Sequence, residues 1–502
     1  MRHGLDDVRG GFEATADVVV VGTGAGGAIA AANLAKAGMK VVVLEAGAEL
    51  RAPDMTRDAP LVLARHYWDG GLRTVTGTGE FPCMQGRCLG GSTVVNSAIM
   101  LSMPQWVRQE WAQESGLGLF TDPILDRAYE RVYQRLRVAP TPLAVMGRRN
   151  LVVRDALDSV GLKSKPLPRA VDGCEGCADC MTGCTSGAKQ STDRTYLKDA
   201  ERDGAEVFTC SVVGRVLTEG SRAVGVSGHV VDPFTWTRQG QFTVRAPRVV
   251  LAAGALNTPA LLLRSGVSGG GQVGATLYAH LSGGVVGCME EVVDPWIGAT
   301  QGWGAIVDDI PGLKLECLWA PISALMVRWG DVGLPFLQML SDVRHTTVIA
   351  AVYKGKMRGT VRSGWGGIPR GRLIIPDAEA HTLNRGLKLA ADALLKVGAR
   401  YVYAGLPGTK HQMRTPADTE AMLSPRLRAA DMNMTANHIF ASCRMGARAA
   451  DSAVDEAGAV RGVTGLYVND ASLFPAPSAV NPQATIMALV DILSRRLGDL
   501  PT

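Results

Sequence analysis

The chain has 502 residues, 46% of them hydrophobic, so it can bury a large core and should divide into two lobes. Its formal charge of +5 is modest for that length and no block of like charges occurs, which leaves nucleic-acid binding without an electrostatic footprint. No apolar run reaches the ~18 residues of a transmembrane segment, and the opening Met1-Arg2-His3-Gly4-Leu5-Asp6-Asp7 has acids and no hydrophobic stretch, unlike a secretory signal; the expected compartment is the cytoplasm, with the cysteines mostly reduced.

Residues 17–47 predict a βαβ unit that binds a dinucleotide. Val18 to Val21 form a continuous apolar run, as in a strand covered on both faces of a parallel sheet. Gly22, Gly24 and Gly27 follow at G-x-G-x-x-G spacing: the first permits the tight turn, the second lets a pyrophosphate approach the backbone, and the third lets the helix lie close to the sheet. The free N–H groups of that helix then point at the phosphates. Glu45, closing the next strand, is placed to accept hydrogen bonds from a ribose. Among 60 glycines the spacing alone is weak evidence; the strand before it, the Ala-rich helix after it and the acid strengthen it. The motif does not choose between NAD and FAD.

Residues 50–80 mix Pro, Arg, Gly and aromatic residues without periodicity and read as a long excursion from the sheet. Cys83 to Met100 is different: Gly90 and Gly91 allow close approach to a flat or phosphorylated ligand, while Ser92 and Asn96 offer hydrogen bonds. A glycine bend between two loops is the alternative. Together with residues 17–47 this piece resembles the glucose-methanol-choline (GMC) oxidoreductases, flavoproteins that oxidise alcohols. The resemblance implies that Gly90, Gly91, Ser92 and Asn96 line the isoalloxazine and pyrophosphate of FAD. Some members attach FAD through a His just before that Asn; here the position is Val95, which implies non-covalent FAD.

Asp122 to Leu136 predicts a helix, with Asp122 as cap, Pro123 in the first turn and Leu125, Ala128, Val132 and Leu136 on one apolar face. Cys174, Cys177, Cys180 and Cys184 then make C-x2-C-x2-C-x3-C, the spacing of a bacterial ferredoxin cluster run. Some flavin-dependent sugar and long-chain alcohol dehydrogenases related to GMC enzymes carry similar runs, which in at least part of that group hold an iron–sulfur cluster; the expectation here is such a cluster, draining electrons from reduced flavin. Thr185 stands where Pro would follow, and three ligands would suit a three-iron cluster or a four-iron one completed from elsewhere. A pair of loop disulfides and a metal-free cysteine loop are the alternatives.

Glu206 to Val216 reads as one strand, and the resemblance puts Val213 against adenine. Val249 to Pro259 repeats the strand, small-residue turn and helix start, and matches the second GMC signature. From about Gly269 to Asp431 the dinucleotide signals stop, and strand-like pieces such as Thr346 to Val352 alternate with helical ones such as Leu383 to Val397. Leu315 to Val343 carries Trp319, Leu325, Met326, Trp329, Leu334, Phe336, Leu337, Met339 and Leu340, which read as core or as an apolar substrate channel or membrane-contacting lip.

Near the C-terminus, His438 to Gly446 is similar to the family segment His-x-x-Gly-Thr-Cys-Arg-Met-Gly, with Ala441 and Ser442 in place of Gly-Thr. The family's catalytic His maps onto His438, and its second active-site position falls on Asn481. Asp470 would bind FAD, and Pro482 opens a last helix whose N-terminus would face the flavin's pyrimidine side, where negative charge collects on reduction.

The implied fold is α/β: a discontinuous Rossmann-like FAD-binding domain of GMC type (12–110, 185–268 and 430–502), a cap with the cysteine loop (111–184), and a second α+β substrate-binding domain (269–429). The implied activity is oxidation of a hydrophobic alcohol by hydride transfer to flavin N5, with His438 as general base and quinone, a cytochrome or a carrier protein as electron acceptor. The alternatives are an oxidase using oxygen, a redox-neutral lyase or isomerase using His438 as acid and base, and a flavin and iron–sulfur electron carrier, against which the His438–Asn481 pair argues.

Overall fold

The computed structural model describes residues 1–51, 54–326 (without the side chain of Met326) and 332–502. Its centre is a six-stranded parallel sheet in the order Arg2–His3, Glu206–Phe208, Val41–Leu44, Val18–Val21, Arg248–Leu251, Leu466–Val468. Val18 to Val21 and Val41 to Leu44 are buried on both faces, as their unbroken apolar runs require. The helix Ala25–Lys36, rich in Ala and Gly, packs beside this sheet and against the last helix, Gln483–Leu497. A four-stranded sheet, Ser211–Glu219, Arg222–Val231, Arg238–Arg245 and Phe12–Thr15, stands beside it.

The second large sheet is also six-stranded and, in contrast, antiparallel: Ala399–Tyr403, Leu281–Met289, Thr346–Tyr353, Leu313–Cys317, Trp303–Ile306, Lys165–Pro166. The helices Asp377–Lys396 and Gly147–Ser159 pack against it and share a core with it. The α/β expectation with a Rossmann-like unit therefore holds.

The helix expected over 122–136 is Ile124–Arg135; Asp122 accepts the Ile124 N–H at 2.7 Å and Leu125, Ala128, Val132 and Leu136 are buried. The strand expected over 206–216 is two strands in two sheets. Cys210 takes a left-handed φ of 57°, and its N–H and that of Ser211 are drawn to the carbonyls of Gly47 and Glu45, so the chain turns from one sheet to the other. The helix expected from Leu383 begins earlier, at Asp377 just after Pro376, with Asp377 and Glu379 in its first turn where the helix dipole favours acids. The excursion at 50–80 contains a helix, Ala59–His66, capped by Asp58, whose carboxylate accepts the Leu61 N–H at 3.2 Å.

The apolar stretch after Leu315 divides. Trp319, Leu325 and Met339 are buried in a small cluster with Val348 and Tyr403, whereas Leu334 and Leu337 are 66% and 58% exposed. Trp329 lies outside the described residues.

Candidate active site

One cavity of about 1050 Å³ is lined from both large sheets. Gly22, Gly24, Glu45, Gly91, Ser92, Asn96, Val213, Asp470, Pro482, His438 and Asn481 all line it, so most of the residues singled out in the sequence share one wall system. Gly27 and Gly90 do not line it and act on backbone shape. A Cβ on Gly27 would sit 2.0 Å from the Gly22 carbonyl oxygen, and Gly90, at φ 92°, turns so that its N–H reaches the Thr23 hydroxyl at 2.8 Å. Gly24 is the opposite case: a Cβ there would meet nothing within 4 Å, since it faces the cavity at the N-terminus of the helix Ala25–Lys36.

These features fit a dinucleotide. The helix N-terminus offers unpaired N–H groups over an open approach at Gly24. The Glu45 carboxylate accepts from the Thr23 N–H at 3.1 Å, the Thr23 hydroxyl at 2.5 Å and the Gly47 N–H at 2.9 Å, which fixes it at the cavity edge although burial raises its pKa. Asp470 is likewise buried with a raised pKa, and accepts from the Gly254 N–H at 2.9 Å and the Thr258 and Ser472 hydroxyls at 2.6 Å. Asn96 donates to Gln483 at the start of the last helix at 2.5 Å, and its own carbonyl accepts the Ala98 N–H at 2.9 Å.

The loop bearing Val94 to Asn96 is braced from behind. The buried Lys189 ammonium donates to the carbonyls of Val94, Asn96 and Cys180 at 2.7, 2.6 and 2.5 Å. The Tyr67 hydroxyl lies 3.1 Å from the Val95 carbonyl and 2.7 Å from that of Met181.

The arrangement of the four cysteines gives the iron–sulfur expectation no support. Among the described residues no group of three or more His, Cys, Asp or Glu side chains is placed to hold a metal ion. The sulfurs instead engage the protein: the buried Arg169 guanidinium lies 3.9 Å from Cys174 and 3.1 Å from Cys180, and Cys184 accepts the Lys189 N–H at 3.4 Å. Burial alone would raise the Cys180 thiol, but Arg169 and Lys189 outweigh it and bring it below its ordinary value. Cationic groups beside Cys180 favour its thiolate form. Cys174, Cys177, Cys180 and Cys184 form no disulfide, so the disulfide alternative fails as well.

The reacting corner contains residues that the sequence did not reveal. Ile439–Phe440 pairs antiparallel with Tyr278–Ala279, and this register sets His280 opposite His438. The His280 N–H donates to the His438 carbonyl at 3.0 Å and the two Nδ1 atoms lie 3.1 Å apart. Burial, then the charge of Lys314, lowers the His438 pKa to about 3; burial, then His438, Lys314 and Lys354, puts His280 well below its usual value. Both imidazoles are therefore neutral near pH 7, and one of the two Nδ1 atoms carries the shared hydrogen.

Asn481 ends its segment against the antiparallel sheet. Lys314 and Glu316 alternate with Leu313, Leu315 and Cys317 along one strand, so the three apolar side chains enter the core while the Lys–Glu pair turns to the other face. The Lys314 ammonium donates to both the Glu316 carboxylate and the Asn481 carboxamide oxygen, and the Gln301 amide donates to Glu316 at 3.0 Å. Glu316, Gln301 and Asn481 line the cavity. The wall is completed by an apolar set that includes Val286, Leu318, Ala320, Leu325 and Val348. The apolar segment of the sequence thus supplies both core and cavity wall.

A family model described as GMC oxidoreductase matches residues 63–282 and its C-terminal companion matches 368–489, while an NAD(P)-binding Rossmann-like model matches 20–86. A GMC-type oxidoreductase of Mycobacterium tuberculosis is 34% identical over 482 residues, covering 94% of this chain and 74% of its own. A long-chain-alcohol oxidase of Arabidopsis thaliana is 29% identical over 544 residues, covering 98% and 69%. Among solved structures, pyridoxine 4-oxidase from Mesorbium loti superposes with a TM-score of 0.74 at 20% identity, over 97% of this chain and 100% of its own, a likeness of fold.

Proposed function

The chain belongs to the GMC oxidoreductases, flavoprotein enzymes, and we propose that it oxidises a hydrophobic primary or secondary alcohol, of long-chain, terpenoid or steroid type, to the aldehyde or ketone with non-covalent FAD. The observation that carries this reading is the meeting of a neutral imidazole, a carboxamide and an apolar wall on the cavity that also holds the dinucleotide signature. Gly22, Gly24 and the helix behind them would hold the pyrophosphate, Glu45 the ribose and Val213 the adenine. Gly91, Ser92, Asn96, Asp470 and Pro482 would surround the ring system. Val95 has no nucleophilic atom, which supports a dissociable cofactor. When bound, FAD supplies the two-electron acceptor for the hydrogen that leaves the carbinol carbon.

The protein's own groups do the rest. His438 takes the hydroxyl proton; for that role its Nδ1 carries the hydrogen shared with His280, which leaves the Nε2 lone pair free. Asn481 donates to the substrate oxygen. The wall of Leu318, Leu325 and Val348 takes the hydrocarbon part, at about 0.8 kcal/mol for each methylene removed from water, and offers nothing to the hydroxyls of a free sugar. With the cysteines engaged by Arg169 and Lys189, the reason to prefer a dehydrogenase falls away. The long-chain-alcohol oxidases among the relatives support oxygen as the final acceptor.

Anaerobic mixing of the holoenzyme with 1-dodecanol, a terpenol, a sterol and glucose tests this. We expect the flavin absorbance to bleach with at least one of the first three and not with glucose. No bleaching by any alcohol, with FAD bound, would refute alcohol oxidation in favour of redox-neutral acid–base chemistry at His438.

A further inference from the structure

Lys314 is 1% exposed and off the cavity wall, behind Asn481 and Glu316. An ammonium group has only donors, so the atom of Asn481 that meets it is the carboxamide oxygen. A side-chain amide can be turned either way by its surroundings, and this neighbour permits one way. Glu316 keeps the ammonium in place from the same strand, and Gln301 occupies the other Glu316 oxygen, so the network is closed on the protein side. Among the described residues the Asn481 amide nitrogen donates to no protein acceptor.

We propose that Lys314, held by Glu316, is a positioning residue that locks the Asn481 carboxamide with its oxygen turned to the protein and its N–H hydrogens turned to the ligand, making this corner of the cavity a site for an oxyanion. The inference rests on the alcohol reading for its meaning, since the oxygen it would serve gains negative charge as its proton passes to His438. The buried cation behind the amide polarises the N–H bonds further, and in a corner removed from water such a preset dipole is strongest where charge develops. A neutral alcohol gains little from it before reaction, so the contribution falls on kcat more than on KM.

The pair variant Lys314→Met with Glu316→Gln removes both charges together and leaves no orphaned ion. In the holoenzyme it should lower kcat for the best alcohol by ~100-fold with KM within about threefold. A readout independent of turnover is the binding of decanoate, a carboxylate that presents an anionic oxygen on an alkyl chain, followed by perturbation of the flavin spectrum. Wild type should bind it, and the pair variant should bind it at least ~10-fold more weakly. Asn481→Asp is the second variant: it keeps the contact with Lys314 and replaces the donor by an acceptor, so it should retain its melting temperature and lose decanoate binding. Unchanged kcat and decanoate affinity in the pair variant, unchanged decanoate affinity in Asn481→Asp, or a wild type that binds no decanoate, overturns the inference while leaving alcohol oxidation standing. Decanoate binding that responds as expected, in a protein that no alcohol reduces, upholds the oxyanion corner and removes the alcohol reading instead.

Discussion

The two six-stranded sheets meet the cavity in different ways. The parallel sheet presents the ends of its strands, and what it offers a ligand is backbone: the turn at Gly22 to Gly24, the first N–H groups of the helix Ala25–Lys36, and acids held by backbone N–H groups. The antiparallel sheet presents a face, and what it offers is side chains: Glu316 with Lys314 behind it, and the apolar set around Val286 and Val348. A backbone site depends on the absence of side chains and tolerates little change. A side-chain site can be retuned one residue at a time, so it is where substrate choice can vary while cofactor binding stays fixed.

This contrast can be broken or sharpened. The largest effect is expected at the corner between the sheets: His438→Ala should reduce turnover by ~10³-fold or more with FAD still bound, because the base is lost and the cofactor groove is untouched; near-normal turnover would show that the proton leaves by another route. Next come two glycines in one motif. Gly27→Ala drives a Cβ to 2.0 Å from a carbonyl oxygen and should cost about 3 kcal/mol of stability, read as a lowered melting temperature of the apoprotein. In Gly24→Ala the added Cβ meets no protein atom within 4 Å, so the apoprotein should melt as wild type does while FAD content after purification falls. Equal behaviour of the two variants would mean that Gly24 serves packing and not a ligand.

A smaller effect is expected from pH. With His438 depressed from 6.5 to about 3, the acid limb of kcat/KM should lie well below pH 6, and a limb near 6.5 would show that His438 is not the base or is not buried from water. The same group adds a stability term of known sign. Between about pH 3 and 6.5 the unfolded imidazole binds a proton that the folded one does not, so stability rises as pH rises through that window, as acid titration of the melting temperature would show. The smallest effect is expected from metal removal: anaerobically prepared protein should contain no stoichiometric iron or acid-labile sulfide, and chelation should leave its melting temperature unchanged. Stoichiometric iron would mean that Arg169 yields its place to a cluster.

The parallel half was legible because its signals are local. Val18 to Val21, the glycine spacing and Glu45 lie within one βαβ unit and need no knowledge of distant pairing. His438 and Asn481 were found through their surrounding motif. His280 was not, since its position depends on a two-residue ladder between Ala279 and Ile439, about as far from each other in sequence as two halves of a domain. Lys314 and Glu316 were not found either: their alternation with Leu313, Leu315 and Cys317 fixes only that they share one face of a strand, and that this face closes on Asn481 and a cavity depends on contacts distant in sequence. The cysteine spacing was legible, but the cations that meet it were not, because Arg169 precedes the run and Lys189 follows it with no motif to mark either.

Lys189 has one more consequence. By tying three carbonyls from two loops to a single buried ammonium, with the Tyr67 hydroxyl as a second stitch, it makes the loop Val94 to Asn96, proposed above to lie against the flavin, a part of the scaffold and not a product of cofactor docking. Protein stripped of its flavin should therefore accept a synthetic replacement, such as a deazaflavin or a halogenated ring, by simple mixing and without a refolding step.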